Sequence, residues 1–102
     1  MRLVSLTKSS QAAKKYTAVF STDAGGTKTV HFGAEGYLDY TQHGDPKRKE
    51  LYIQRHAATG REQWDNIHTA GFWSRWLLWD QPTLQEAINK IEKKFKITIK
   101  KI

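Results

Sequence analysis

The sequence predicts a single α+β domain over residues 1–102, in which a β-hairpin packs against three short helices. Three observations indicate this fold class. A chain of 102 residues is long enough for one hydrophobic core and too short for two. Apolar and polar side chains alternate at 16–21, and strand-forming residues return at 29–32. Three helix-start signals then follow from Asp45 onward.

The hairpin is predicted from residue 15 to Gly33. Tyr16, Ala18 and Phe20 alternate with more polar neighbours, which is the period of a strand with one buried face. The segment 23–26 contains two glycines, and these supply the positive φ angles of a tight reversal.

The two chain ends are predicted to extend this sheet. Residues 1–14 are expected to form an N-terminal arm, in which residues 2–6 have the composition of a short edge strand. Residues 96–102 alternate with period two, so we expect a C-terminal strand that returns beside the hairpin. The sheet has three or four strands if these segments pair with the hairpin.

Three helices are predicted from their capping signals. The first begins at Asp45-Pro46 and runs to about Ala58. The second, residues 69–79, is apolar almost all round and is expected to be the most buried. The third begins at Thr83, where Thr83 and Glu86 have the spacing of a capping box. The predicted core residues of the second and third helices are Phe72, Trp76, Leu84, Ile88, Ile91 and Phe95.

Composition excludes several classes of protein. The chain has no cysteine, so disulfides and thiolate metal sites are excluded. No apolar run is long enough to cross a bilayer, and the first residues lack the apolar stretch of a signal peptide. We therefore expect a soluble, unprocessed protein in a cytosolic, nuclear or particle-bound setting.

The formal net charge of +7 predicts an anionic partner. Residues 90–102 carry six lysines against one glutamate, so this short segment holds most of the excess charge. Two interpretations weigh about equally: a surface that contacts nucleic-acid backbone, and a solvated face that keeps the protein in solution. Lysine rather than arginine argues against base-specific recognition. The candidate anion-binding residues are Lys47, Arg48, Lys93, Lys94, Lys96, Lys100 and Lys101.

A second candidate site is a dense group of polar and aromatic residues in the middle of the chain, termed here the polar loop cluster. Its histidines could act as acid and base beside Asp39 or Asp45. The alternative, that these groups cap and pin a long loop, is favoured because no nucleophile and base have a recognised spacing. We therefore predict no catalytic residues. The members are His31, Tyr37, Asp39, His43, Tyr52, Arg55 and His56.

No cofactor or metal is predicted. The four histidines are separated by 12, 13 and 12 residues, which is not the spacing of ligands on one helix or hairpin.

The four tryptophans are a third candidate feature. Their helical spacing favours burial, although a thin domain does not easily cover four indoles, and we expect one or two at an interface.

One stretch of sequence resembles a known family. The pattern H-F-G-A-x-G-Y-x-D-Y-T-x-H-x-D runs from His31 to Asp45 and is followed by Y-x-x-R-H at residues 52–56. It is similar to a small family of uncharacterised proteins from large double-stranded DNA viruses of algae and amoebae, over about residues 16–95. The resemblance implies a viral setting, and it assigns no role to any residue.

These observations lead to three functional hypotheses. The leading one is a non-enzymatic structural component of a large DNA virus particle, of the minor capsid or cementing type. The alternative is a small basic accessory protein that binds nucleic acid, and the third is an enzyme that uses His43 and His56. The expected partners are other virion proteins and the backbone of DNA or RNA, bound without sequence specificity. The expected locations are the virion and the host cytoplasm or nucleus during infection.

Overall fold

A four-stranded sheet forms one layer of the protein in the computed structural model, which describes residues 2–21, 25–60 and 63–101. The strand order is β3-β2-β1-β4; β1 is antiparallel to β2, β2 is antiparallel to β3, and β4 is parallel to β1. Helices cover one face of this sheet, which confirms the predicted α+β class. The strands are β1 (Arg2–Lys8), β2 (Lys14–Ser21), β3 (Thr27–Ala34) and β4 (Ile97–Lys101).

The positions of the two terminal strands in the sheet differ from the prediction. β1 is an inner strand rather than an edge strand, since it pairs with β2 on one side and β4 on the other. Val4 and Leu6 on β1 are buried, as befits a central position. β4 therefore lies beside β1 and not beside the hairpin of β2 and β3. Of the predicted reversal at 23–26, residues 23 and 24 lie outside the described residues.

Two of the three predicted helices agree closely with the structure. The helix α2 (Pro46–Ala57) begins where Asp45 accepts a hydrogen bond from the backbone N–H of Lys47, at 3.0 Å. The helix α4 (Leu84–Phe95) begins where the Thr83 hydroxyl accepts one from the N–H of Glu86, at 3.2 Å. A further short helix, α1 (Tyr40–His43), has a capping box between Asp39 and Gln42 and was not predicted.

The predicted second helix has two parts. One turn of α3 (Ala70–Trp73) continues into a π-helical turn, Ser74–Leu78. The N–H of Trp79 donates to the carbonyl of Ser74, five residues earlier, at 3.1 Å. The extra residue in this turn shifts the register of the following side chains by about 100° relative to a regular α-helix.

The core lies between the sheet and the segments α3, the π-helical turn and α4. Trp73 is fully buried at its centre, and its indole N–H donates to the carbonyl of Ile67 at 2.8 Å. Phe72, Ile88 and Ile91 are buried, as predicted. Trp76, Leu84 and Phe95 were also predicted as core residues, but they are only partly buried and pack against the core at its border.

None of the helices in residues 2–21, 25–60 and 63–101 covers the other face of the sheet. Leu3 of β1 lies on it and is half exposed, while Val4 and Leu6 point into the core. At the free edge of β4, the Glu92 carboxylate accepts a hydrogen bond from the N–H of Ile99 at 2.9 Å, so this edge is partly covered. Within the described residues, no helix has the length and apolar character to span a membrane.

Candidate functional site

A cleft of about 410 Å³ opens between α2 and the body of the domain. The end of β3, the loop that follows it, the inner face of α2 and the end of the π-helical turn form its walls. Its volume is in the range of protein clefts that bind ligands. The residues that line it include Lys15, Gly33, Tyr37, Leu38, Asp39, Arg48, Leu51, Tyr52, Arg55, His56, Leu78 and Trp79.

One face of α2 supplies most of the outer wall. Four of its residues have the spacing i, i+3, i+4 and i+7, which places them on one side of the helix: Arg48, Leu51, Tyr52 and Arg55. The proline at the start of the helix and the Asp45 cap fix where this face begins. Tyr52 is the one buried residue of α2, so this side chain attaches the helix to the domain.

A stack of aromatic rings closes the back of the cleft. The rings of Tyr52 and Trp79 are parallel within 2°, with their centroids 4.5 Å apart. The imidazole of His56 lies on Tyr52 at 4.3 Å, and that of His43 lies on Trp79 at 5.3 Å. Because these neighbours cover both rings, the stack is a structural wall rather than a platform for another ring.

An ion pair lies at the floor of the cleft. The ammonium of Lys15 contacts the carboxylate of Asp39 at 2.7 Å, and both side chains are nearly buried. Lys15 also donates to the side-chain carbonyl of Gln42, and Asp39 accepts hydrogen bonds from the backbone N–H and the hydroxyl of Thr41. The two opposite charges cancel, so the floor of the cleft carries no net charge.

Gly33 shapes the wall beside Leu78. Its φ angle is +81°, and a Cβ built there would lie 2.9 Å from Cδ1 of Leu78 and 3.2 Å from Cβ of Lys15. Only glycine combines this backbone conformation with such close packing. The π-helical turn and β3 can therefore approach each other closely at the base of the cleft.

Exposed apolar side chains surround the mouth of the cleft. Tyr37 is 75% exposed, Leu38 54% and Leu51 51%. Among the described residues the only other large exposed hydrophobic side chain is Leu3, which lies on the open face of the sheet. The concentration of such residues at one opening is typical of a surface that contacts another molecule.

Five of the seven residues in the polar loop cluster come together at this cleft. They are Tyr37, Asp39, Tyr52, Arg55 and His56. His31 instead lies on the open face of the sheet, where its Nδ1 is 2.8 Å from the hydroxyl of Thr17. His43 lies behind Trp79, and its Nδ1 accepts a hydrogen bond from the N–H of Asp45 at 2.9 Å.

The arrangement does not assemble an acid–base pair from His43 and His56. The rings of Tyr52 and Trp79 lie between the two imidazoles. The candidate carboxylates also have other partners, since Asp39 pairs with Lys15 and the side chain of Asp45 accepts from the N–H of Lys47. In the described parts of the chain, no three histidine or acidic residues lie close enough to hold a metal ion.

Five of the predicted basic residues lie on the edge strand β4 or in the end of α4 that leads into it, and we term this region the basic edge. β4 is the edge strand of the sheet, and α4 packs against it. Their side chains are exposed and make no ion pair with any carboxylate that the structure describes. Lys47 is also exposed, on the first turn of α2. The residues of the basic edge are Lys93, Lys94, Lys96, Lys100 and Lys101.

A cluster of cations around Trp76 adjoins the basic edge. The half-buried indole is contacted by the guanidinium of Arg75, with Cζ 4.5 Å from the ring centroid, and by the ammonium of Lys94, 4.7 Å away. The ammonium of Lys90 lies 5.7 Å from the same ring. Such contacts hold positive charge against an aromatic face, so the cluster keeps cations at the surface of the domain.

Asp80 balances part of this charge. Its buried carboxylate is 2.8 Å from Lys90, 3.3 Å from Arg75 and 3.9 Å from Lys49. Burial alone would raise the pKa of Asp80, but hydrogen bonds from Lys90 and Gln81 and the nearby positive charges outweigh it and hold the pKa below 3.8. One carboxylate thus pairs with three cations, so this group of four side chains keeps a net positive charge.

Several residues of the cleft were not predicted as site residues. Lys15 and Trp79 are two of them: Lys15 is 24 positions from its partner Asp39, and Trp79 reaches Tyr52 only through the tertiary fold, whereas Asp39 and Tyr52 were predicted. The regular spacing of Arg48, Leu51, Tyr52 and Arg55 is the one sequence signal that indicates a common face. Nothing in the sequence indicates what that face contacts.

Comparison with protein families matches residues 4–56 to a family of unknown function (DUF5754). The match covers slightly more than half of the chain, from β1 to the end of α2, and so includes the outer wall and the floor of the cleft. It ends before Trp79 and before the basic edge. No curated protein matches the chain, and no solved structure matches it.

Proposed function

The chain belongs to this family of unknown function (DUF5754), and we propose that it is a non-enzymatic binding protein that holds nucleic-acid backbone on its basic edge. The observation that carries the proposal is the grouping of exposed lysines on one strand and the helix beside it. They are free of ion pairs with the described carboxylates, so their charge is available to an anionic polymer.

The type of residue indicates how the polymer is bound. Lysine ammonium groups on flexible side chains neutralise phosphates but do not read base edges in the bidentate manner of arginine. The basic edge contains no arginine and no exposed aromatic ring. We therefore expect binding that does not depend on base sequence.

The proposal is tested by binding of a fluorescein-labelled 20-base-pair duplex, followed by fluorescence anisotropy. Replacing Lys100 and Lys101 by alanine removes two charges from the basic edge, and we expect affinity to fall at least tenfold. The matched control replaces Lys14 and Lys28, which are exposed on β2 and β3 away from β4. Both double variants have a net charge of +5. Equal losses in the two would show a general charge effect and contradict the proposal.

The setting that we propose is the particle of a large DNA virus, with the protein as a structural component of the minor capsid or cementing type. The resemblance of residues 31–56 to proteins of such viruses supports this setting. Quantitative mass spectrometry of gradient-purified particles tests it. We expect the protein in a fixed ratio to the major capsid protein, retained after a detergent wash. A protein found in infected cells but absent from purified particles would overturn this placement.

A further inference from the structure

The cleft is not used by the proposed binding of nucleic acid. It lies against α2 and the end of β3, whereas the basic edge lies on β4, beyond two other strands of the sheet. We propose that the cleft is a docking site for an acidic segment of a partner protein, in which two carboxylates flank an apolar anchor side chain.

The charges at the cleft indicate that the partner is negatively charged. Arg48 and Arg55 are exposed and make no ion pair with any residue that the structure describes. The one acidic lining residue, Asp39, is already neutralised by Lys15. The rim of the cleft is therefore positive and complements carboxylates, with which guanidinium groups form strong bidentate hydrogen bonds.

The spacing of the arginines specifies how the carboxylates are arranged. Arg48 and Arg55 are seven residues apart on one helix, which separates their Cα atoms by about 10 Å along the axis. A peptide in the polyproline II conformation rises about 3.1 Å per residue with three residues per turn, so side chains three positions apart lie on the same side and about 9 Å apart. Two acidic side chains three positions apart can thus meet the two guanidinium groups at the same time.

The apolar mouth specifies what lies between the carboxylates. Leu51 is on α2 between the two arginines, and Tyr37 and Leu38 lie on the opposite side of the opening. An apolar side chain inserted here would cover all three and remove their exposed surface from water. Tyrosine and arginine are also the residue types most often found at the energetic centres of protein interfaces.

Other occupants fit these observations less well. A second copy of the chain would bring a net charge of +7 toward a positive rim. Bases of single-stranded nucleic acid would stack on free ring faces, but Tyr52 and Trp79 at the back of the cleft are covered by neighbouring rings, which leaves the exposed Tyr37 as a single stacking position at the mouth. An acidic peptide needs no free ring face.

Selection from a displayed library of random nine-residue peptides tests the proposal, with the full-length protein as the target and its Arg48→Ala/Arg55→Ala variant for counter-selection. We expect the enriched sequences to share an apolar residue between two Asp or Glu residues three or four positions apart. Enrichment of sequences without this pattern, or no enrichment over the counter-selected variant, would overturn the proposal.

Variants of the protein then test whether the peptide binds in the cleft. A synthetic peptide of the enriched sequence is expected to bind at least tenfold more weakly to Arg48→Ala/Arg55→Ala, and within twofold of normal to Lys100→Ala/Lys101→Ala, which has the same net charge. Leu51→Ala is expected to weaken it about tenfold, whereas Leu3→Ala, an equally exposed leucine on the open face of the sheet, leaves it unchanged. Equal effects of the paired variants would contradict docking in the cleft.

An oligonucleotide competitor separates this proposal from the proposed function. A labelled single strand of twelve thymidines is expected to bind without displacing the peptide. Displacement of the peptide, together with a loss of oligonucleotide affinity in Arg48→Ala/Arg55→Ala, would assign the cleft to nucleic acid and overturn the docking proposal. Failure of the duplex to bind the basic edge would overturn the proposed function and leave the peptide result standing.

Discussion

The ring of Tyr52 lies flat against the indole of Trp79, with an interplanar angle of 2° and 4.5 Å between centroids. This contact joins α2, which has no other buried residue, to the end of the π-helical turn. The helix is therefore joined to the domain by this aromatic contact and by a hydrogen bond from the Lys49 ammonium to the carbonyl of Asp80 at 2.7 Å. The space beside the aromatic contact is the cleft.

Tyr52→Ala is expected to release α2 from the domain. Removing a buried aromatic side chain costs about 3–5 kcal/mol, and here most of that loss should appear as local opening, because the remaining core does not include α2. Amide hydrogen exchange should become faster in residues 49–56, with little change in β2 and β3. Tyr52→Phe keeps the stacked ring and serves as the control. Uniformly faster exchange over the whole protein would contradict this local role of Tyr52.

A comparison of two glycines tests the close packing at the base of the cleft. Gly33 and Gly36 both have positive φ angles, +81° and +89°, but a Cβ at Gly36 meets no atom within 4 Å. Gly36→Ala should cost about 1–2 kcal/mol for the backbone conformation alone. Gly33→Ala should cost about 1–3 kcal/mol more, because its methyl group overlaps Leu78 and Lys15. Chemical denaturation of the two variants measures the difference, and equal costs would contradict the contact.

Acid should weaken the protein partly through Asp80. Its pKa in the folded protein lies below the ordinary value of 3.8, so folding favours the ionised carboxylate. The stability that it contributes is fully present above about pH 5 and is lost as the pH falls through the folded pKa. Asp80→Asn should therefore lower the unfolding free energy by about 2–3 kcal/mol at neutral pH. The variant should also lose less stability than the normal protein as the pH falls from about 5 to about 2. A variant with the pH dependence of the normal protein would contradict this role.

The elements that local signals define were predicted well. The Asp45-Pro46 start of α2 and the Thr83 start of α4 each depend on a side chain and a backbone N–H that are two or three residues apart. Such contacts depend little on the rest of the fold, so the sequence alone indicates them. The α+β class followed from the same local patterns together with the alternation in β2.

The features that depend on distant contacts were not predicted. β1 became an inner strand because β4, more than 90 residues further along the chain, pairs with it in parallel. The four-residue helix α1 is too short for a periodic pattern, and its capping residue Asp39 is held in place by Lys15 of β2. The cleft could not be predicted for the same reason, because its two sides come together only in the folded chain.

The salt dependence of duplex binding tests the central claim most directly. Each lysine that neutralises a phosphate changes the slope of log Kobs against log salt concentration by about −0.9. If the five lysines of the basic edge contact the backbone, the slope should be about −4 to −5, and Lys100→Ala/Lys101→Ala should reduce its magnitude by about 2. A slope near zero, or a slope that this double variant leaves unchanged, would contradict the account.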